Sequence, residues 1–181
     1  MSKSLDPGRL NLQAFAQSGA PLVESTLLQN MERLAQETQA LQPDSTINWQ
    51  ARAELRSGAA TEGDIWLRLA ATTSLALTCQ RCMGTVITPL QVDQWYRFVA
   101  TEDIAMAEDD ASEEDLLVMG PRFDLLAVLE DELLMALPLI PMHDECPVPP
   151  VLRAGNDEPP APDTGKVTPF AMLAQLKKND R

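Results

Sequence analysis

Three stretches in the middle of the chain alternate between apolar and polar residues, as β-strands with one buried face do. They cover residues 47–57, 65–78 and 85–99, and short connections join them. Strands joined in this way pair with their neighbours in an antiparallel meander. The pattern therefore predicts an antiparallel sheet of about three to five strands, twisted or partly closed into a β-barrel. A weaker alternation over residues 10–15 predicts one further short strand.

Two other stretches repeat their apolar residues at the three- and four-residue spacing of a helix. They are residues 24–38 and residues 123–137. In the second, Asp124 can cap the N-terminus and Pro138 ends the helix because it lacks a backbone N–H. The predicted fold class is α+β, with these two helices packed on the open side of the sheet and an extended C-terminal tail.

The length of 181 residues suits one domain followed by trailing segments. We predict a single domain over residues 1–150, with an acidic loop at 101–115, and a flexible linker at 151–168. A short helix is predicted at 169–178, where Phe170, Leu173, Leu176 and Lys177 either pack back on the core or bind a partner.

The net charge is −13, and much of it is local, since residues 101–115 hold eight acidic residues and no Lys or Arg. Without them, 27 − 8 = 19 acidic residues face 14 basic ones, which leaves −5. No basic stripe is present, which argues against a broad electrostatic grip on nucleic acid. The balance is compatible with a small local RNA contact or with a basic protein partner.

Nothing in the sequence indicates a membrane or an exported protein. No apolar run reaches the length that crosses a bilayer, and the N-terminus lacks an apolar signal segment. The three cysteines cannot all pair within one chain, which favours reduced thiols or a metal site. We therefore predict a cytoplasmic protein.

A C-x-x-C pair between two predicted strands, followed far along the chain by H-x-x-C, is the main chemical signal. Cys79, Cys82, His143 and Cys146 would complete a tetrahedral structural zinc site, with no other cofactor indicated. The alternative is an ordinary turn with an unrelated His and Cys. A redox pair is disfavoured because such pairs usually begin a helix.

Further chemistry is sparse. Arg52, Arg56 and Arg81 are RNA-contact candidates, and the alternative is scattered charge paired with neighbours such as Glu54. The acidic residues at 130–132 diverge around a helix and fit a solvated face better than a catalytic site. No Gly-rich phosphate loop is present, and we predict a protein without enzymatic activity or small-molecule substrate.

Three blocks of sequence together resemble one family. They are the residues around Cys79 and Cys82, the block from Phe123 to His143, which contains the predicted helix and ends in LPLIPMH, and the residues from Pro169 to Lys177. Their order and spacing are similar to those of the YceD family, the large ribosomal RNA subunit accumulation proteins of bacteria and plastids. The resemblance covers about residues 65–178.

The resemblance implies a role in 23S ribosomal RNA accumulation, processing or large-subunit assembly, and no catalytic residues. It implies ribosomal RNA or the pre-ribosomal large subunit as the partner. Some relatives are richer in cysteine near these positions, which supports the metal interpretation. The acidic segment leaves an alternative, an interaction module or holdase for a basic ribosomal protein.

Overall fold

A computed structural model describes residues 5–56 and 63–148 of the chain. The strands are β1 (Leu22–Leu27), β2 (Thr46–Arg56), β3 (Asp64–Thr78), β4 (Thr85–Val99) and β5 (Asp115–Val118). The helices are α1 (Leu12–Ser18), α2 (Glu32–Glu37), α3 (Glu102–Glu108) and α4 (Leu125–Met135). The α+β prediction is confirmed.

The five strands form one sheet in the order in which they occur in the chain. Strands β1 to β4 pair antiparallel, as the alternation predicts, whereas β5 runs parallel to β4 from Tyr96↔Asp115 to Val99↔Val118. Within the described residues β1 and β5 do not pair with each other. The sheet is therefore mixed and open, and the closed-barrel alternative does not apply.

One face of the sheet carries the hydrophobic core and the other faces solvent. Helices α1, α2 and α4 cover the core face, where Phe15, Leu34 and Leu129 are fully buried. The opposite face, which we call the outer face, presents the polar positions of β2, β3 and β4, including Arg52, Arg68 and Asp93. This two-sided burial explains the period-2 pattern of the three long strands.

The helix predicted at residues 24–38 is wrong in its first half. Residues Leu22–Leu27 pair along β2, and the helix is confined to Glu32–Glu37. Pairing with β2 supplies the backbone hydrogen bonds that a helix would have made. Only Leu28, Met31 and Leu34 reach the core from this stretch.

The strand predicted at residues 10–15 is also wrong, because this stretch forms α1. The Asn11 side chain accepts a hydrogen bond from the Ala14 N–H at 2.9 Å and caps the helix. Gly19 ends it in the left-handed region, with φ 62°. Leu10 alone keeps a strand-like contact, an isolated bridge to Phe123.

The acidic segment at 101–115 is more regular than the predicted loop. It contains α3, a 3-10 turn at Asp109–Ala111 and the first residue of β5. Arg97 of β4 holds it by hydrogen bonds to Glu108 and Glu114 at 2.7 Å each and to the Ser112 hydroxyl at 2.9 Å. The Arg97 side chain therefore holds the acidic segment against β4.

Three expectations concern residues outside the described ranges: the linker at 151–168, the helix at 169–178 and the partner-binding candidates Phe170, Leu173, Leu176 and Lys177. Within the described ranges, no helix has the length and apolar character needed to cross a membrane.

Candidate functional site

The connection between β3 and β4 is a tight turn that contains Cys79 and Cys82. The Cys79 N–H donates to the Gly84 carbonyl oxygen at 2.8 Å, and the Met83 N–H donates to the Cys79 carbonyl oxygen at 2.9 Å. Met83, not Gly84, takes the left-handed conformation that reverses the chain, with φ 60°. The turn places both thiols on the same side of the loop.

The segment that follows α4 returns to this turn and brings the other two candidate ligands. Pro138 follows the helix, and the Gln80 N–H donates to the Pro141 carbonyl oxygen at 2.9 Å. This hydrogen bond fixes the start of the segment that carries His143 and Cys146. The four residues predicted from spacing therefore meet in space.

The four ligand atoms form a compact cluster in which every pair lies within 4.8 Å. The Cys79 and Cys146 Sγ atoms are 3.9 Å apart, and the Cys82 Sγ is 3.5 Å from the His143 Nδ1. A tetrahedral zinc ion separates two thiolates by about 3.8 Å and a thiolate from an imidazole nitrogen by about 3.6 Å. These two distances match those around such an ion, and the other pairs also lie within 4.8 Å.

The orientation of the His143 ring also suits a metal. Its Nε2 lies 3.0 Å from the Thr85 carbonyl oxygen, and Nε2–H is the donor because a carbonyl oxygen can only accept. The lone pair is then on Nδ1, which faces Cys82. A ligand histidine commonly donates its second N–H to the backbone in this way.

The electrostatics favour a thiolate at Cys79. Burial acts to raise the pKa of the Cys79 thiol, but backbone N–H donors from Cys82, His143 and Arg81 outweigh it and lower the pKa to about 5. Burial, together with the neighbouring Cys82 and Cys79, raises the pKa of Cys146. A cation among the sulfurs would offset both effects and favour the Cys146 thiolate.

The arrangement can bind a metal ion with three thiolates and one imidazole, and it is suited to a structural role. All four positions of a tetrahedron are filled by protein, which leaves no open position for a substrate. Cys79 is fully buried and ends a strand, unlike a redox cysteine at the start of a helix.

The RNA-contact candidates separate into two places. Arg52 and Arg56 share the outer face on β2, where Arg56 pairs with Glu54 at 2.5 Å. Arg81 lies in the turn beside the cluster, with guanidinium nitrogens 4.0 Å from the Cys146 Sγ and 3.9 Å from the Met142 Sδ.

Sequence reasoning missed two tryptophans on the outer face. Trp66 of β3 and Trp95 of β4 are half-buried, with ring centroids 6.3 Å apart at an interplanar angle of 70°. The Arg56 guanidinium lies 4.2 Å and 4.3 Å from their ring centroids. The signal was present in the alternation, because both rings fall at solvent-facing positions of their strands.

The sequence is similar to those of one known protein family. The family profile described as large ribosomal RNA subunit accumulation protein YceD matches residues 67–177, more than half of the chain. A protein of Haemophilus influenzae with that same name is 33% identical over 108 residues, which are 56% of this chain and 59% of the relative. The match thus spans less than two thirds of the relative's length. No solved structure shows significant similarity.

Proposed function

The chain belongs to the YceD family of large ribosomal RNA subunit accumulation proteins, and we propose that it is a non-enzymatic factor for 23S ribosomal RNA accumulation, processing or large-subunit assembly. The observation that carries the proposal is the family match over residues 67–177, which includes most of β3, all of β4, β5 and α4, and the four candidate Cys/His ligands. The protein would act in the cytoplasm by binding pre-ribosomal RNA or a pre-ribosomal particle.

The acidic residues of α4 support a role without catalysis. Glu130 accepts hydrogen bonds from two backbone N–H groups of α2 and from the Arg33 side chain. Asp131 accepts from the same guanidinium. These carboxylates join two helices and do not converge on a free site.

We also propose that Cys79, Cys82, His143 and Cys146 hold one structural zinc ion. Zinc would cross-link thiolates and imidazole and would supply stability rather than chemistry. The ligands come from the β3–β4 turn and from the segment after α4. The ion would therefore fix the 138–148 segment against the sheet.

The direct test removes the gene from its host and follows the large subunit. We expect a lower ratio of 23S to 16S ribosomal RNA, accumulation of precursor large subunits, and recovery when the parent chain is restored. The protein should sediment with precursor large subunits in a gradient. Unchanged ribosomal RNA and unchanged particles would refute the proposal.

The acidic segment favours a second candidate, an interaction module or holdase for a basic ribosomal protein. Glu108 and Glu114 are committed to Arg97, so the informative variant is Asp109→Asn, Asp110→Asn, Glu113→Gln, which leaves that anchor intact. Loss of salt-sensitive association with a basic ribosomal protein would favour this candidate. Unaltered association would count against it.

A further inference from the structure

We propose that the outer face of the sheet binds unpaired RNA, with bases stacked on the Trp66–Trp95 pair and a phosphate held at Arg52. The inference rests on the proposed function and assigns it a surface. It commits to single-stranded RNA, because stacking requires bases whose faces are free.

The two tryptophans offer a stacking platform on strands that lie side by side. Trp95 is directly opposite Arg68 in the β3–β4 pairing, and Trp66 is directly opposite Glu54 in the β2–β3 pairing. The Arg56 guanidinium lies over both indoles, and that of Arg68 is 5.8 Å from the Trp95 centroid. Indole rings and guanidinium planes are the groups on which unpaired bases stack.

Arg52 and Arg68 are directly opposite each other on β2 and β3. Like charges at such positions repel and destabilise a sheet. Asp93 neutralises Arg68 through two hydrogen bonds, at 2.7 Å and 2.6 Å. In the described part of the chain Arg52 has no such ion pair, so it remains available to an anion beside the tryptophans.

A groove of about 610 Å³ continues from this point across β1 to β4. Ala70 leaves room at its floor, and its sides carry hydroxyls and amides. The uncharged polar side chains that line it are Ser25, Asn48, Gln50, Thr72 and Gln91, and its charged residues are Glu24, Arg68 and Asp93. Amide side chains can donate to and accept from base edges, as unpaired-base recognition requires.

Charge sets the direction in which a strand of RNA would lie. Glu113 and Glu114 line the pocket on the β5 side of the tryptophans and would repel phosphate. Arg52 and the groove lie on the β1 side, so the chain would run from the tryptophans toward β1. Few cations line this path, and we therefore expect a shallow dependence of affinity on salt.

The test measures binding of an unpaired, fluorescein-labelled oligoadenylate of about 12 nucleotides to the full-length protein by anisotropy. We expect the parent to bind it and to bind a duplex of the same length more weakly. Trp66→Ala with Trp95→Ala should weaken binding about tenfold or more. Trp95→Phe should retain most of the affinity, because a phenyl ring still stacks.

The Arg52→Gln variant should weaken binding and reduce the salt slope by about one ion. The matched control is Arg122→Gln, which changes an exposed arginine in the turn before α4 and should bind like the parent. Thermal melting of each variant shows whether the fold is retained. Equal affinity of the parent and the folded tryptophan variants would overturn the inference.

Co-sedimentation with precursor large subunits separates this inference from the proposed function. If the parent and the folded tryptophan variants sediment equally, the surface is wrong and the function stands. If the parent binds neither RNA nor particles, the proposed function itself fails. If tryptophan-dependent sedimentation survives nuclease treatment, the face binds a ribosomal protein instead, which overturns the RNA assignment.

Discussion

The Glu130 carboxylate of α4 caps the N-terminus of α2 by accepting hydrogen bonds from Arg33. Its Oε1 accepts the Arg33 backbone N–H at 2.8 Å, and its Oε2 accepts from the Arg33 guanidinium at 2.9 Å. The Leu34 N–H adds a third hydrogen bond at 3.1 Å. Met31, at the start of α2, provides no side-chain cap, so a residue almost a hundred positions away in the sequence performs that role.

Replacing Glu130 should therefore destabilise the protein. We expect Glu130→Ala to lower the free energy of unfolding by about 2 kcal/mol, since two backbone donors and a cation lose their acceptor. Asp131→Ala is the matched control: Asp131 contacts the same arginine, but its side chain is 53% exposed against 12% for Glu130. That change should cost about 0.5 kcal/mol. Urea unfolding of both variants makes the comparison, and equal losses would contradict the capping role.

The buried stripe of α4 gives a second contrast on one helix. Leu133 is 0% exposed in the core, whereas Met135 is 71% exposed. We expect Leu133→Asp to cost about 4 kcal/mol or more, because it buries an unpaired charge. Met135→Asp should change the stability by about 0.5 kcal/mol or less. Thermal melting of the two variants makes the comparison. A Leu133→Asp protein that melts like the parent would show that this face of α4 does not pack on the core.

The long elements were predictable because a single periodic pattern dominates each of them. Strands β2, β3 and β4 alternate over 11 to 15 residues, and α4 carries a cap, a stripe and a following proline. The short N-terminal elements were not. Residues 22–27 show no clear alternation, and their pairing with β2 makes them a strand. That pairing is a long-range contact, which no local pattern contains.

The candidate site divides in the same way. The spacing of Cys79, Cys82, His143 and Cys146 in the sequence was sufficient to propose one cluster, because C-x-x-C followed by H-x-x-C is a reasonable ligand spacing for zinc. The Trp66–Trp95 pair required the register of two strands, which sets the two rings 6.3 Å apart. Pairing register depends on the whole sheet, so the sequence indicated the face but not the partners.

Arg97 anchors the acidic segment, and its loss should be costly. Its side chain is 14% exposed and bonds Glu108, Glu114 and Ser112 through three different nitrogens. We expect Arg97→Gln to lower the free energy of unfolding by about 2 kcal/mol, since Glu114 stays half-buried without a cation. Arg97→Lys should recover only part of this, because an ammonium lacks the guanidinium fork.

The control for Arg97 is Arg68→Gln, which breaks an exposed pair and should cost much less than Arg97→Gln. Amide hydrogen exchange in α3 supplies a local readout beside the global stability. Unchanged protection of α3 in Arg97→Gln would show that the acidic segment is held by other contacts.

The pair of Arg68 and Asp93 predicts a pH-dependent contribution to stability. The Arg68 guanidinium, against a smaller effect of burial, holds the pKa of Asp93 below its usual range. A depressed folded pKa stabilises the protein above the ordinary aspartate value of about 3.9, and this is lost as the pH falls through the folded value. Asp93→Asn should thus cost about 0.5 kcal/mol at neutral pH and nothing in acid. Urea titrations at several pH values test this, and a loss that persists in strong acid would contradict it.

Metal content gives the sharpest test of the Cys/His cluster. We expect about one zinc ion per chain in untagged protein by elemental analysis, and its loss in Cys146→Ser with a lower melting temperature. A chelator should lower the melting temperature of the parent toward that of the variant. Acid should release the ion, because the thiolates must be protonated for it to leave.

The fourth ligand can be identified by comparing two neighbouring residues. His143 points its Nδ1 at Cys82, whereas Asp144 is exposed beside it and offers a carboxylate instead. His143→Ala should release zinc and Asp144→Ala should retain it. Cobalt substitution provides an independent count of thiolates, since its charge-transfer absorption scales with the number of sulfur ligands. Release from Asp144→Ala alone would replace His143 by a carboxylate. Full retention in Cys146→Ser would remove Cys146 from the ligand set and leave His143 as the ligand from the segment after α4.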